Sequence, residues 1–216
     1  MGDLFVRLEQ RAQMLRIDRN VMPTIYRGAT LSIFEVEVLR TIRNVVRKGY
    51  LKRVGRDNLT LDQGTIDGKP DDLYVDCTAR GINRRPPVPI FDGDRITLQM
   101  VRAGRVSLSA AVIGHIEASY SSDGIKNDLC IPIPAPDVTD DWPRDMLTDF
   151  RIAQRWAADK ALRTWVANHR LSGAGFGTTG SSPSPEAARI RARIKEARPR
   201  AEANLERLVA DLDRRR

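Results

Sequence analysis

Small and polar side chains close an apolar run near residue 76, and their types could support chemistry on a bound cofactor. Residues 73–75, Leu-Tyr-Val, suit a buried strand because aromatic and branched side chains favour pleated structure. A carboxylate, a thiol and a hydroxyl follow, and then residues too small to block the strand end. Ligands of open α/β sheets bind beyond such ends. We expect a flat or anionic cofactor to contact Asp76, Cys77, Thr78, Ala79 and Gly81.

Each of these residues also has a structural interpretation. Asp76 could form a turn, as aspartate does by hydrogen bonding to its own backbone. Cys77 has no CxxC partner, so it could be a small buried side chain rather than a redox group. Gly93 and Asp94 form a second candidate pair, for which a surface Asp-Gly-Asp turn is the competing interpretation.

The run at residues 72–81 resembles a strand and turn of two-dinucleotide-domain flavoproteins, where an acidic and apolar run closes with Ala-Thr-Gly or a near relative. Residues 89–99, 126–130 and 141–142 extend the likeness to the C-terminal half of bacterial FAD/NAD(P)-dependent oxidoreductases. The resemblance covers residues 3–170 and implies FAD as cofactor, with NAD(P) as a further ligand. Gly93 and Asp94 match the acidic position that meets the flavin ribityl chain in that family.

The main FAD-binding motif of such enzymes, an N-terminal strand–GxGxxG–helix, has no counterpart at the start of this chain. Residues 175–180 satisfy GxGxxG by letter, but a helical pattern precedes them and prolines follow, which is the wrong context for a dinucleotide fingerprint. The resemblance therefore implies the C-terminal part of a flavin-dependent NAD(P) oxidoreductase. Such a part would be active with a complementary N-terminal chain, or would be a truncated, inactive remnant.

Charge supports a second hypothesis, a non-enzymatic binding or scaffold protein. The formal net charge is +8 and the pI is about 10.0, and residues 186–216 hold ten basic and six acidic side chains. This basic tail would contact an acidic partner or nucleic acid. The remaining charge is scattered without the aromatic interleaving of a stacking platform, which disfavours nucleic acid. A narrow leucine stripe in the tail would also permit self-association.

The composition bears on the redox state of the cysteines, on metal binding and on membrane association. Cys77 and Cys130 lie far apart, which favours reduced thiols, and the two histidines stand at no zinc-ligand spacing, so no metal site is expected. No apolar run approaches a membrane span and the first ten residues lack a signal-peptide pattern. We expect a cytoplasmic protein without a membrane partner.

The hydrophobic pattern predicts an α/β fold, with α+β as the alternative: a partial dinucleotide-binding-type sheet with flanking helices. An incomplete flavoprotein-like domain is expected over residues 1–172, a flexible linker over 173–185 and a basic helical tail over 186–216. Helices are predicted over 3–15, 33–48, 106–118, 144–171 and 186–214. Strands are predicted over 50–54, 59–62, 64–66, 73–78 and 96–101, and the prolines of residues 131–136 predict an extended segment.

Overall fold

A computed structural model of the protein describes residues 2–26, 31–78, 85–172 and 185–215. The chain forms two compact units. The larger unit comprises Met1–Met14, Met22–Thr30 and Arg84–Arg216, and the smaller unit comprises Leu15–Val21 and Leu31–Asn83.

The helices of the described residues are α1 (Gly2–Gln10), α2 (Ile33–Arg40), α3 (Val106–Ser119), α4 (Asp123–Leu129), α5 (Asp141–Ala158), α6 (Lys160–Asn168) and α7 (Pro185–Arg214), with a 3-10 turn at Arg170–Ser172. The strands are β1 (Leu51–Val54), β2 (Asn58–Leu61), β3 (Gly64–Asp67), β4 (Phe91–Asp92) and β5 (Arg95–Ile96). The expected mixed α/β class is confirmed, with helices predominating. Among the described strands every pair is antiparallel.

The smaller unit combines α2 with the antiparallel meander β1-β2-β3. A capping box starts α2: the Ser32 hydroxyl accepts from the Glu35 N–H, and the Glu35 carboxylate accepts from the Ser32 N–H at 2.7 Å. Gly64 begins β3 directly after the turn from β2 and has φ of 114°, a conformation that disfavours residues with a Cβ. The three strands predicted between residues 50 and 66 are confirmed to within about two residues.

The predicted strand at residues 73–78 is wrong. These residues have no regular secondary structure, and their side chains are exposed, with Leu73 at 88% and Val75 at 73%. The sheet order ends at β3, so no strand of the described residues pairs with residues 73–78, and a strand without a hydrogen-bonded neighbour is not stable. The predicted strand at 96–101 is wrong beyond Ile96, because the β4–β5 hairpin ends there and Thr97 donates the closing hydrogen bond to Ile90.

The larger unit is built on one hydrophobic core. α3 runs through it with Val112, Ile113 and Ile116 fully buried. The Ser109 hydroxyl accepts the N–H groups of Val101 and Arg102, which ties the preceding loop to α3. The buried members of the core are Ile90, Phe91, Val101, Leu108, Val112, Ile113, Ile116, Leu129, Cys130, Ile133, Ile152, Trp156 and Leu162.

The long helix predicted over 144–171 is two helices. Asp159 interrupts it with extended backbone and accepts from the Leu162 N–H at 2.8 Å, which makes it the N-cap of α6. α7 packs on α5 within the same unit, and its acidic side chains meet α5: Asp213 pairs with Arg144 at 2.7 Å and Glu206 with Arg151 at 3.1 Å. The expected linker lies outside the described residues except for Pro185.

Candidate functional site

The segment at Asp76 is an exposed turn. One carboxylate oxygen of Asp76 accepts both the N–H of Thr78, at 2.8 Å, and its hydroxyl, at 2.6 Å. These bonds lower the pKa of Asp76, with the Thr78 hydroxyl as the larger cause. Cys77 is exposed and free. This geometry is that of a turn-forming acid, while Ala79 and Gly81 lie outside the described residues.

Gly93 and Asp94 form the tip of the β4–β5 hairpin in the larger unit. Gly93 has φ of 60° and donates its N–H to Asp123 at 2.8 Å. A Cβ placed on Gly93 would meet no atom of the described chain within 4 Å, so the positive φ rather than crowding favours glycine at this position. The two expected groups of site residues belong to different units.

A cavity of about 870 Å³ in the smaller unit brings several charged side chains together. The segment before α2, the helix itself and the residues after it form its wall. Four arginines and two acids contribute charge, and aliphatic side chains supply the rest. The lining residues are Ile17, Asp18, Arg19, Glu37, Leu39, Arg40, Ile42, Arg43, Val45 and Arg47.

The four arginines of this cavity are held to different degrees. Arg40 is fixed, because its guanidinium donates to the carbonyls of Arg16 and Ile17 at 2.6 and 3.0 Å and pairs with Glu37. Arg47 pairs with Asp18 at 2.7 Å. Arg43 is exposed. Because two carboxylates face four guanidiniums, the lining carries two excess positive charges and can bind an anionic group such as a phosphate.

Sequence reasoning did not single out this arginine cluster. Its signal is the spacing of Arg40, Arg43 and Arg47, three and four residues apart at the end of a predicted helix. Such spacing places side chains on one helix face. The helix in fact ends at Arg40, where the N–H and the hydroxyl of Thr41 turn back to the Val38 carbonyl.

The two histidines form an aromatic cluster in the larger unit that the sequence did not predict. His115 stacks on Trp165 with ring centroids 4.2 Å apart, and His169 lies 4.5 Å from the same indole. Burial lowers the pKa of His115. The hydroxyl of Tyr120 donates to Asp159 at 2.7 Å. Among the described residues no group of three or more potential ligands could hold a metal ion.

Exposed apolar side chains are concentrated in the smaller unit. On α2, Phe34 is 84% exposed and Val38 is 67% exposed, and these two residues lie one turn apart. All four residues of β1 are exposed, which is unusual for a strand. We name as the apolar surface the set Phe34, Val38, Ile42, Val45, Tyr50, Leu51, Leu73 and Val75.

Comparison with known proteins finds relatives without an assigned activity. Proteins described as uncharacterized, from Mycobacterium bovis and from Mycobacterium tuberculosis, are 46% identical to this chain over 170 residues. The match covers 79% of this chain and 32% of each relative, so the matched part spans about a third of their length. No family model matches the chain, and no solved structure matches it. In the described residues, no helix is both long and apolar enough to cross a membrane.

Proposed function

We propose that this chain acts as the C-terminal part of a flavin-dependent NAD(P) oxidoreductase and works with a polypeptide that carries the dinucleotide-binding strand–GxGxxG–helix. The observation that carries the proposal is the apolar surface of the smaller unit. Within that unit only Val36 and Leu59 are buried apolar side chains among the described residues, whereas Phe34, Tyr50 and Leu73 are mostly exposed. A concentration of exposed apolar side chains in one unit supports an interaction site there.

Covering this surface would release substantial free energy. A fully buried large apolar side chain contributes roughly 1.5–3 kcal/mol, so covering Phe34, Leu73 and Val75 alone contributes on the order of 5 kcal/mol. Two thirds of each mycobacterial relative lies outside the part that matches this chain. That length is enough for a dinucleotide-binding domain, which supports a partner polypeptide of this class.

The described residues do not form a FAD cradle by themselves. The Asp76 carboxylate accepts from Thr78, and the Gly93 N–H donates to Asp123, so both groups are already engaged within the chain. We therefore assign the main contacts with FAD to the partner polypeptide and derive no catalytic step for this chain. The arginine-lined cavity supports binding of an anionic nucleotide, because its excess charge of two matches a pyrophosphate.

The proposal is tested by co-expressing this chain with the part of the Mycobacterium tuberculosis relative that lies outside the match. A stable complex is expected. The variant Phe34→Ser/Val38→Ser should abolish the complex by removing two exposed apolar side chains from α2. Leu98→Ser is the matched control, since Leu98 is 69% exposed but belongs to the larger unit. Equal complex formation by both variants would contradict the proposal.

A second candidate function is a binding protein that contacts an acidic partner through α7. The carboxylates of Glu202, Glu206 and Asp213 form hydrogen bonds or ion pairs with side chains of α5. Arg193 and Arg200, on the same helix α7, are exposed. Binding of duplex DNA or another polyanion with a steep salt dependence would favour this candidate. Salt-independent or absent binding would exclude it.

We also propose that the protein resides in the cytoplasm. Both cysteines are free thiols in the structure, Cys77 exposed and Cys130 buried. Free thiols are typical of reducing compartments. Detection of the protein in a secreted fraction would contradict this location.

A further inference from the structure

A second cavity, of about 330 Å³, lies in the larger unit where α5 meets α7. Its volume falls in the range of small-molecule sites. Three alanines, Ala153, Ala197 and Ala201, leave room for a ligand, and Phe150 and Ile194 add apolar walls. The charged lining residues are Arg102, Asp149 and Arg198.

Asp149 is already fully engaged by the protein. Its carboxylate accepts from the Arg102 guanidinium at 2.8 Å and from the Ala103 N–H at 3.0 Å, and only 14% of its side chain is exposed. Arg102 also lies over the Trp156 ring, 5.3 Å from its centroid. Asp149 and Arg102 therefore form a rigid, neutral pair on one side of the cavity.

Arg198 is less completely paired. Its Nη2 donates to the Phe150 carbonyl at 3.0 Å, and its guanidinium lies 5.5 Å from the centroid of the Phe150 ring. Its Nε is buried and has no hydrogen-bond partner among the described residues. The Arg198 guanidinium carries the positive charge that remains on the cavity lining beside the Arg102–Asp149 pair, so an anionic ligand in the cavity would stabilise the protein.

We propose that this cavity binds a small organic monocarboxylate. The carboxylate would pair with the Arg198 guanidinium, and a short aliphatic body would lie against the alanines. Two guanidiniums and one carboxylate leave a single positive charge, which one negative charge neutralises. A phosphate dianion would leave an uncompensated negative charge and would gain less from the apolar walls. This site is independent of the proposed flavin function.

Butyrate is the probe, with butyramide as its uncharged analogue and inorganic phosphate as the competing anion. Titration of the full chain, followed by NMR or calorimetry, should show saturable binding of butyrate and none of butyramide. Equal binding of butyrate and butyramide, binding of phosphate alone, or no binding would each overturn the proposal.

Two variants locate the site. Arg198→Met removes the charge, and Ala197→Leu fills the cavity while keeping both arginines. Each should weaken butyrate binding by about tenfold or more, the loss expected for a charge-assisted hydrogen bond or for a blocked site. Arg193→Met, an exposed position on the same helix, should bind as the wild type does. Unchanged binding in both site variants would overturn the assignment.

Discussion

The indole N–H of Trp156 donates a hydrogen bond of 2.7 Å to the carbonyl oxygen of Leu129, and both groups are buried. The bond joins α5 to the end of α4 across 27 residues of sequence. It satisfies one of the carbonyls that a helix leaves unpaired at its C-terminus. This contact therefore fixes two helices of the larger unit against each other.

Trp156→Phe should destabilise the larger unit. Phenylalanine keeps most of the apolar contact but leaves the Leu129 carbonyl without its donor, which costs about 1–3 kcal/mol. Urea unfolding followed by circular dichroism measures the change in free energy of unfolding. Trp165→Phe, at a partly buried position, is the control and should lose less. Equal losses in the two variants would show that the hydrogen bond contributes nothing specific.

Asn127→Ala should release the β4–β5 hairpin from α4. The Asn127 amide accepts from the Phe91 N–H at 3.0 Å and donates to the Phe91 carbonyl at 2.7 Å. Loss of both bonds should cost about 1–3 kcal/mol. It should also increase hydrogen exchange at Phe91. Asp128→Ala, at an exposed neighbouring position, should leave exchange at Phe91 unchanged. Slow exchange at Phe91 in Asn127→Ala would contradict the role of the Asn127 amide in holding the hairpin against α4.

The two cysteines should differ in reactivity. Burial raises the pKa of Cys130 to about 12, so its thiol stays protonated at about pH 8, whereas Cys77 is exposed. Iodoacetamide should add one label to the native protein, at Cys77, and two after denaturation. Cys77→Ser should abolish the native label. Mass spectrometry that finds rapid native labelling at Cys130 would contradict the buried placement.

The Tyr120–Asp159 contact should make stability depend on pH at both extremes. Burial, and then the hydrogen bond to Asp159, raises the pKa of Tyr120 to about 12 from 10.0. Bonds from the Leu162 N–H and the Tyr120 hydroxyl lower the pKa of Asp159 from 3.8. The tyrosine contribution is therefore present below pH 10.0 and lost as pH rises toward about 12. The aspartate contribution is present above pH 3.8 and lost as pH falls through its lowered pKa.

Tyr120→Phe tests this pH dependence. The variant should be less stable than the wild type by about 1 kcal/mol at neutral pH. The difference between the two urea midpoints should shrink as the pH rises above 10.0. A difference that stays constant across the alkaline range would show that the hydroxyl does not titrate as the structure requires.

The local sequence pattern correctly predicted those helices and strands that depend mainly on interactions between neighbouring residues. The helix at Val106–Ser119 follows from its alanine-rich apolar composition, and the meander over β1, β2 and β3 follows from short β-like pieces separated by turn residues. Tertiary packing and helix capping determined where several helices end. α1 ends at Gln10, earlier than predicted, where Ala12 and Met14 adopt positive φ. The long helix predicted from residue 144 is divided because the Asp159 side chain caps α6.

The candidate site was less predictable because it depends on long-range placement. Residues 73–78 have strand composition, but composition does not supply a pairing partner, and the sheet ends at β3. The Arg102–Asp149 pair joins positions 47 residues apart, and no sequence spacing reveals it. The cavity that contains Arg198 likewise requires the packing of α7 on α5.

Bound flavin in the co-purified complex is the most direct test of the proposed function. The chain is co-expressed with the remaining part of the Mycobacterium tuberculosis relative, and the visible absorbance of the purified complex is recorded. We expect flavin absorbance at one FAD per complex, lost with the Phe34→Ser/Val38→Ser variant. A well-folded complex that carries no flavin and takes up none when FAD is added would contradict a flavin-dependent function.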